Sequence, residues 1–152
     1  MYLSNTFLLY ELNRFDFSPK KQLNAQKKIY LADNSFHNLI GFSISENKGR
    51  RLENLIFIEL RRRFKEIWYH SGKYECDFIT RSESGWYDYQ VCYELTDSNK
   101  EREINGLLEA LEKFNLQSGT ILTYNDEDQL NIDKKSIQII PVWKWLIEYE
   151  SN

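Results

Sequence analysis

A carboxylate set into an apolar helix face is the first residue here that needs a chemical explanation. Residues 50–64 (RRLENLIFIELRRRF) carry Leu52, Leu55, Ile56, Phe57, Ile58, Leu60 and Phe64. At 100° per residue these cover most of the circumference, which predicts a largely buried helix. Glu53 shares a face with Phe57, Leu60 and Phe64, and a carboxylate in such a place needs a partner. Further along, Asp88, Gln90, Cys92 and Glu94 alternate with Tyr87, Tyr89, Val91, Tyr93 and Leu95, the period of a strand. In residues 74–79, alternation places Glu75 and Asp77 on one face, and Tyr74, Cys76 and Phe78 on the other.

The two strands, 73–81 and 86–95, are separated by Ser82-Glu83-Ser84-Gly85, which reads as a four-residue hairpin loop. With residue 81 opposite 86, Asp77 faces Gln90 and Glu75 faces Cys92. Side chains so opposed have Cβ atoms about 4.5–5.5 Å apart. A helix covering that face would bring Glu53 to the same cleft. Three carboxylates, an amide and a thiol gathered in this way have the chemistry of a Mg²⁺ site, where oxygen ligands hold a hard cation. Such a cation activates water and offsets charge on a phosphate under in-line attack. The alternative is a strand face that is simply wet, as antiparallel sheets allow.

The elements that must position these residues follow from the remaining pattern. Residues 7–15 are apolar and read as strand or short helix, 16–28 as a polar loop containing Ser18-Pro19, and 28–32 (KIYLA) as a short strand. Asp33-Asn34-Ser35 offers caps for a short helix through Phe36, Leu39 and Ile40, stopped by Gly41, and Ser45 caps the long helix. Residues 66–70 read as a strand. Residues 99–115 form an amphipathic helix with Ile104, Leu107, Leu108, Leu111 and Phe114 on one stripe. Residues 119–124 and 136–140 are strands, and Pro141 opens a closing helix with Trp143, Trp145 and Leu146. The fold class is α/β, a mixed sheet flanked by helices.

Composition sets the outer bounds. A chain of 152 residues with 41% hydrophobic and 28% charged residues is globular and of single-domain size. Its apolar run Leu55–Ile58 is four residues long, far short of a bilayer span, and no basic-then-apolar leader opens the sequence. Two cysteines make no disulfide framework, and alternation puts Cys76 and Cys92 on opposite sheet faces. A cytoplasmic enzyme or binding module with no membrane contact is the expectation. Residues 1–73 hold 13 Lys/Arg against 7 Asp/Glu, and residues 74–152 hold 7 against 16. That split gives one part of the molecule an attraction for anions, or lets the halves attract each other.

The blocks 27–33 (KKIYLAD), 49–60 (GRRLENLIFIEL), 75–78 (ECDF), 89–95 (YQVCYEL), 101–111 (EREINGLLEAL) and 141–146 (PVWKWL) together resemble a known family. This is the uncharacterised carboxy-terminal domain of bacterial and archaeal AAA-type ATPases, assigned to the PD-(D/E)XK nuclease superfamily. The resemblance implies a restriction-endonuclease-like fold with a helix-strand-strand-strand-helix-strand core. It also implies a metal site made from a helix Glu, a strand Asp and a Glu-X-Lys on the next strand. Glu53 and Asp77 match. Gln90-Val91-Cys92 departs: an amide stands for the carboxylate and a thiol for the lysine. Gln90 brings no charge, and Cys92 cannot act as an ammonium.

The resemblance therefore implies a degenerate module, a pseudo-nuclease with remnant catalytic positions Glu53, Asp77, Gln90 and Cys92. It would bind DNA or an ATPase half without cleaving. The alternative is a Mg-dependent endonuclease rearranged around Glu53, Glu75, Asp77 and Glu94, with Glu53, Asp77 and Glu75 as metal ligands. Residues 1–45 then correspond to the remnant of a winged-helix wing and a connecting segment, and 46–152 to the nuclease-like domain of a carboxy-terminal fragment. The Gly72-Lys73 pair is followed by Tyr74, so no phosphate-binding Gly-x-x-x-x-Gly-Lys-Ser/Thr is present and this sequence carries no ATPase site.

Arg50, Arg51, Arg61 and Arg62 are the candidate nucleic-acid contacts. Their alternative is a solvated helix whose terminal cations suit its dipole. His37 and His70 lack the spacing of a zinc site. Cys92 beside carboxylates is a poor thiolate. Trp143 and Trp145 are expected in the core.

Overall fold

The computed structural model describes residues 8–35 and 47–149. In chain order the elements are β1 (Leu9–Leu12), α1 (Pro19–Asn24), β2 (Lys28–Leu31), α2 (Asn47–Arg63), β3 (Glu66–Ser71) and β4 (Glu75–Ser82). There follow β5 (Gly85–Val91), α3 (Lys100–Lys113), β6 (Ser118–Thr123), β7 (Asp128–Ile132), β8 (Lys135–Pro141) and α4 (Val142–Tyr149). The helix expected through Phe36, Leu39 and Ile40, the Ser45 cap, His37 and the boundary at residue 45 lie outside the described residues.

Two apolar helix stripes set the layers. Leu52, Ile56, Phe57 and Leu60 of α2, with Phe64 just after it, pack with Phe78, Tyr89 and Leu122 on one face of a sheet, joined by Leu12, Tyr30 and Trp145. Leu107, Ala110 and Leu111 of α3 cover the other face with Ile79, Ile121, Ile137 and Ile139. The sheet is mixed, ordered β3-β4-β5-β6-β8-β7, and β1 and β2 form a separate antiparallel pair. The β5-α3-β6 crossover makes β5 and β6 parallel, and β6 and β8 are parallel too. No helix among the described residues is long and apolar enough to cross a membrane.

Several sequence-based expectations need correction. The stretch 16–28 is not all loop: Pro19 stands at the first turn of α1, where its missing N–H costs nothing. The β4–β5 hairpin has the anticipated register, Phe78 opposite Tyr89, but Ser82 pairs with Gly85, so the loop is two residues long. Gly85 has φ +140°, a conformation that favours glycine. Strand β5 ends at Val91 rather than residue 95. Strand β7 is an unanticipated edge strand, joined to β8 through Asp133 (φ 50°) and Lys134 (φ 66°). Such turns usually carry Gly at the second central position, where Lys134 stands here. Trp145 is buried but Trp143 is 54% exposed.

The most consequential correction is a bulge. Trp68 pairs with Ile79 and His70 with Cys76, so Asp77 and Phe78 together oppose Tyr69 alone. An extra residue breaks alternation and re-aims the side chains around it. Cys76 consequently joins the α3-side cluster while Phe78 faces α2. Cys76 and Cys92 therefore lie in the same layer, not on opposite faces, and both are free thiols.

Candidate functional site

The bulged residue Asp77 lines a polar cavity at the sheet. This cavity, of about 420 Å³, is lined by Glu53, Lys73, Tyr74, Glu75, Asp77, Gln90, Val91, Arg102 and Glu103. Asp77 is tied down on every side. Its Oδ2 accepts from the Val91 N–H at 3.0 Å, and its own N–H donates to Gln90 Oε1 at 3.2 Å. Its Oδ1 accepts from Lys28 Nζ at 2.8 Å.

Lys28 is the residue that sequence reasoning overlooked. From β2 it reaches Glu75 Oε1 at 2.8 Å and Glu53 Oε1 at 3.2 Å as well as Asp77, and it lies over the Tyr69 ring. Burial opposes its charge, yet Asp77 and Glu53 outweigh that and hold its pKa above the usual lysine range. The signal was present in KKIYLAD. On a strand, residues 28 and 30 share a face, and here both point inward while Ile29 is exposed.

Tyr30 completes the support. Its ring stacks on Phe57 with centroids 4.1 Å apart, and its hydroxyl donates to Glu53 Oε1 at 2.6 Å. Burial, then Glu53, push the Tyr30 phenol far above its ordinary pKa, so it stays a neutral donor. Burial and the neighbouring Asp77 raise the Glu53 pKa, against Lys28 and Tyr30. Next along α2, the Asn54 carboxamide pairs with both the N–H and C=O of Leu31, at 2.7 and 3.0 Å. Adjacent residues of one helix thus lock β2 against α2.

Gln90 is equally committed. Its Oε1 accepts from the Asp77 N–H and its Nε2 donates to Glu103 Oε2 at 2.5 Å. Glu103 also accepts from Arg102. Glu103 was missed although it lies four residues before Leu107, on the same helical stripe, where a carboxylate is as conspicuous as Glu53 is on α2. Gly106, one turn on, makes the approach of α3 possible: a Cβ there would meet the Glu75 carbonyl oxygen at 2.1 Å.

The remaining candidates lie apart from this cavity. The Cys92 thiol donates to the Glu94 carbonyl at 3.0 Å and accepts from Asn99 Nδ2. Burial and then Glu103 push it up to about 11. Glu94 is exposed, and neither it nor Cys92 lines the cavity. Arg50 flanks Glu53 in a neighbouring cavity with Lys28 and Asn54. Arg61 and Arg62 belong to the opposite end of α2, about 16 Å from Arg50 by helical rise. There Arg61 lies over the Tyr10 ring at 3.8 Å and Arg62 pairs with Glu59. Arg50 and Arg51, near the start of α2, therefore form no single basic patch with Arg61 and Arg62. His70 is buried between Glu109 and Lys113 and has its pKa lowered, chiefly by burial.

Magnesium fits this donor set poorly. It demands octahedral oxygen ligands at about 2.0–2.1 Å, whereas an ammonium nitrogen already stands within hydrogen-bonding reach of Glu53, Glu75 and Asp77. Among the described residues no group of three or more His, Cys, Asp or Glu is arranged to hold a metal ion.

No family model matches the chain. An uncharacterized protein of Methanocaldococcus jannaschii is 40% identical over 159 residues, an alignment covering 97% of this chain and 35% of the relative. An uncharacterized protein of Haemophilus influenzae is 30% identical over 149 residues, covering 96% of this chain and again 35% of the relative. The chain thus spans about a third of the length of these relatives and is similar to both along nearly all of its own.

Proposed function

We propose that the chain is a degenerate nuclease-like module of restriction-endonuclease-like fold that binds a partner without cleaving nucleic acid. One observation carries this reading. Glu53 and Asp77 meet in one cavity, but the Gln90 amide is held between the Asp77 N–H and Glu103, and the Cys92 thiol is turned to a backbone carbonyl. Neither can supply the second carboxylate or the lysine that hydrolysis by such a site requires.

A protein surface, such as the ATPase half that the resemblance implies, suits the charge of this cavity better than DNA does. The cavity sets Glu53, Glu75, Asp77 and Glu103 against Lys73 and Arg102, and Lys28 pairs with three of those carboxylates from β2, which gives phosphate no net attraction.

A second reading has its own observation. Lys28 brings an ammonium to 2.8 Å from Asp77, the kind of group that Gln90-Val91-Cys92 lacks. On that reading the chain is a Mg-dependent endonuclease with a rearranged site.

Incubating the purified chain with DNA in Mg²⁺ or Mn²⁺ separates the two. The binding reading predicts intact DNA. Cleavage that disappears in Asp77→Ala overturns it. Binding of DNA measured against salt tests the partner class: a steep loss of affinity with ionic strength favours DNA over protein.

A further inference from the structure

We propose that Lys28 is the resident cation of this carboxylate cluster, a tethered ammonium standing in the place that a divalent ion would otherwise take among Glu53, Glu75 and Asp77. The choice of a divalent ion as the displaced species rests on the nuclease-like reading above, whereas the position of the ammonium is geometry.

An ammonium has three N–H donors and no acceptor, and Lys28 Nζ finds three carboxylate oxygens at 2.8, 2.8 and 3.2 Å, from β4 and α2. Its donors are therefore all used within the cage, with none left for a ligand.

The lysine is also held from behind. Asn54 grips both backbone groups of Leu31, and Tyr30 stacks on Phe57 while donating to Glu53. The strand that carries Lys28 is thus bonded to the helix that carries Glu53, so the ammonium and the Glu53 carboxylate are held in register.

Finally, a second cation cannot share the space. At these distances an ion bound to the same oxygens would sit almost in contact with the nitrogen, and like charges so close repel strongly. Lys28 would have to leave before a metal entered, breaking three charge-assisted hydrogen bonds.

Mn²⁺ alone is the probe. Calorimetric titration of the wild-type chain should show no saturable binding dependent on Asp77. Lys28→Met should bind Mn²⁺ at least about tenfold more tightly than wild type, and Lys28→Met/Asp77→Asn should lose that gain. A folded Lys28→Met chain that binds no better than wild type overturns the proposal. So does a wild-type chain whose Mn²⁺ affinity equals the variant's.

A measurement on the unaltered chain covers the case in which the variant does not fold. Amine methylation of the native protein, read by mass spectrometry, should label Lys28 at least about tenfold more slowly than its neighbour Lys27. Millimolar Mn²⁺ should leave that protection unchanged. Equal labelling of the two lysines, or Lys28 becoming reactive with Mn²⁺, refutes the tethered cation. No nucleic acid enters either experiment, so this inference and the functional reading fail on separate results.

Discussion

Two aspartates on one hairpin have opposite fates. Asp77 on β4 is buried and fully engaged: Lys28 donates to one carboxylate oxygen and the Val91 N–H to the other. Asp88 on β5 is buried to 2% exposure, and neither of its oxygens has a hydrogen-bond partner among the described residues. Burial pushes the Asp88 pKa up to about 7, against the opposing charge of Lys135. The difference teaches that this sheet does not shun buried carboxylates. It partners those in the cavity and leaves the one under α3 to be neutralised by a proton, as desolvation dictates.

The largest expected effect comes from breaking the partnered side. Lys28→Met strands Glu53 and Asp77 without their cation, and loss of one member of a buried ion cluster costs about 3–5 kcal/mol. Urea denaturation should show that loss, and Lys28→Met/Asp77→Asn should be less destabilised than the single variant. Equal stabilities of wild type and Lys28→Met would mean that the cage is not a structural unit.

On the unpartnered side the sign reverses. The folded-state pKa of Asp88 is raised, so its favourable contribution is complete below the unfolded value near 4 and is lost as pH rises through about 7. Asp88→Asn removes this slope and should stabilise the chain at pH 8 by up to about 4 kcal/mol, taking 1.36 kcal/mol per pK unit. Thermal denaturation from pH 5 to 8 checks it. A variant that parallels wild type at every pH would show that Asp88 finds a partner in solution.

A smaller change sharpens the comparison. Tyr30→Phe deletes one donor to Glu53 but keeps the stack on Phe57. A hydrogen bond to a charged group is worth about 1.5–3 kcal/mol. The loss should fall well below that of Lys28→Met in the same denaturation series.

Much of this arrangement was legible in the residues. Helical periodicity placed Glu53 on a buried face of α2, and strand alternation with a short hairpin set the register that aligns Asp77 with Gln90. What escaped has physical reasons. A bulge at Asp77 and Phe78 carries no glycine or proline to announce it, so alternation assigned Cys76 to the wrong face. Strand β7 escaped because its turn follows Asp133 with Lys134 at positive φ, where glycine is the usual second residue.

Lys28 was hidden for a different reason. Its role exists only once β2 docks on α2, a tertiary event that neither segment specifies alone, and a lysine in a basic stretch otherwise reads as solvated. Glu103, by contrast, could have been found by applying to α3 the reasoning already used for Glu53.

The central claim, that an ammonium and not a metal holds the carboxylates of this cavity together, is tested most directly by crystals grown in Mn²⁺ with anomalous diffraction. No manganese peak should appear among Glu53, Glu75 and Asp77, and Lys28 Nζ should lie in hydrogen-bond contact with all three. A peak bonded to Asp77, with Lys28 swung out of the cage, would contradict it.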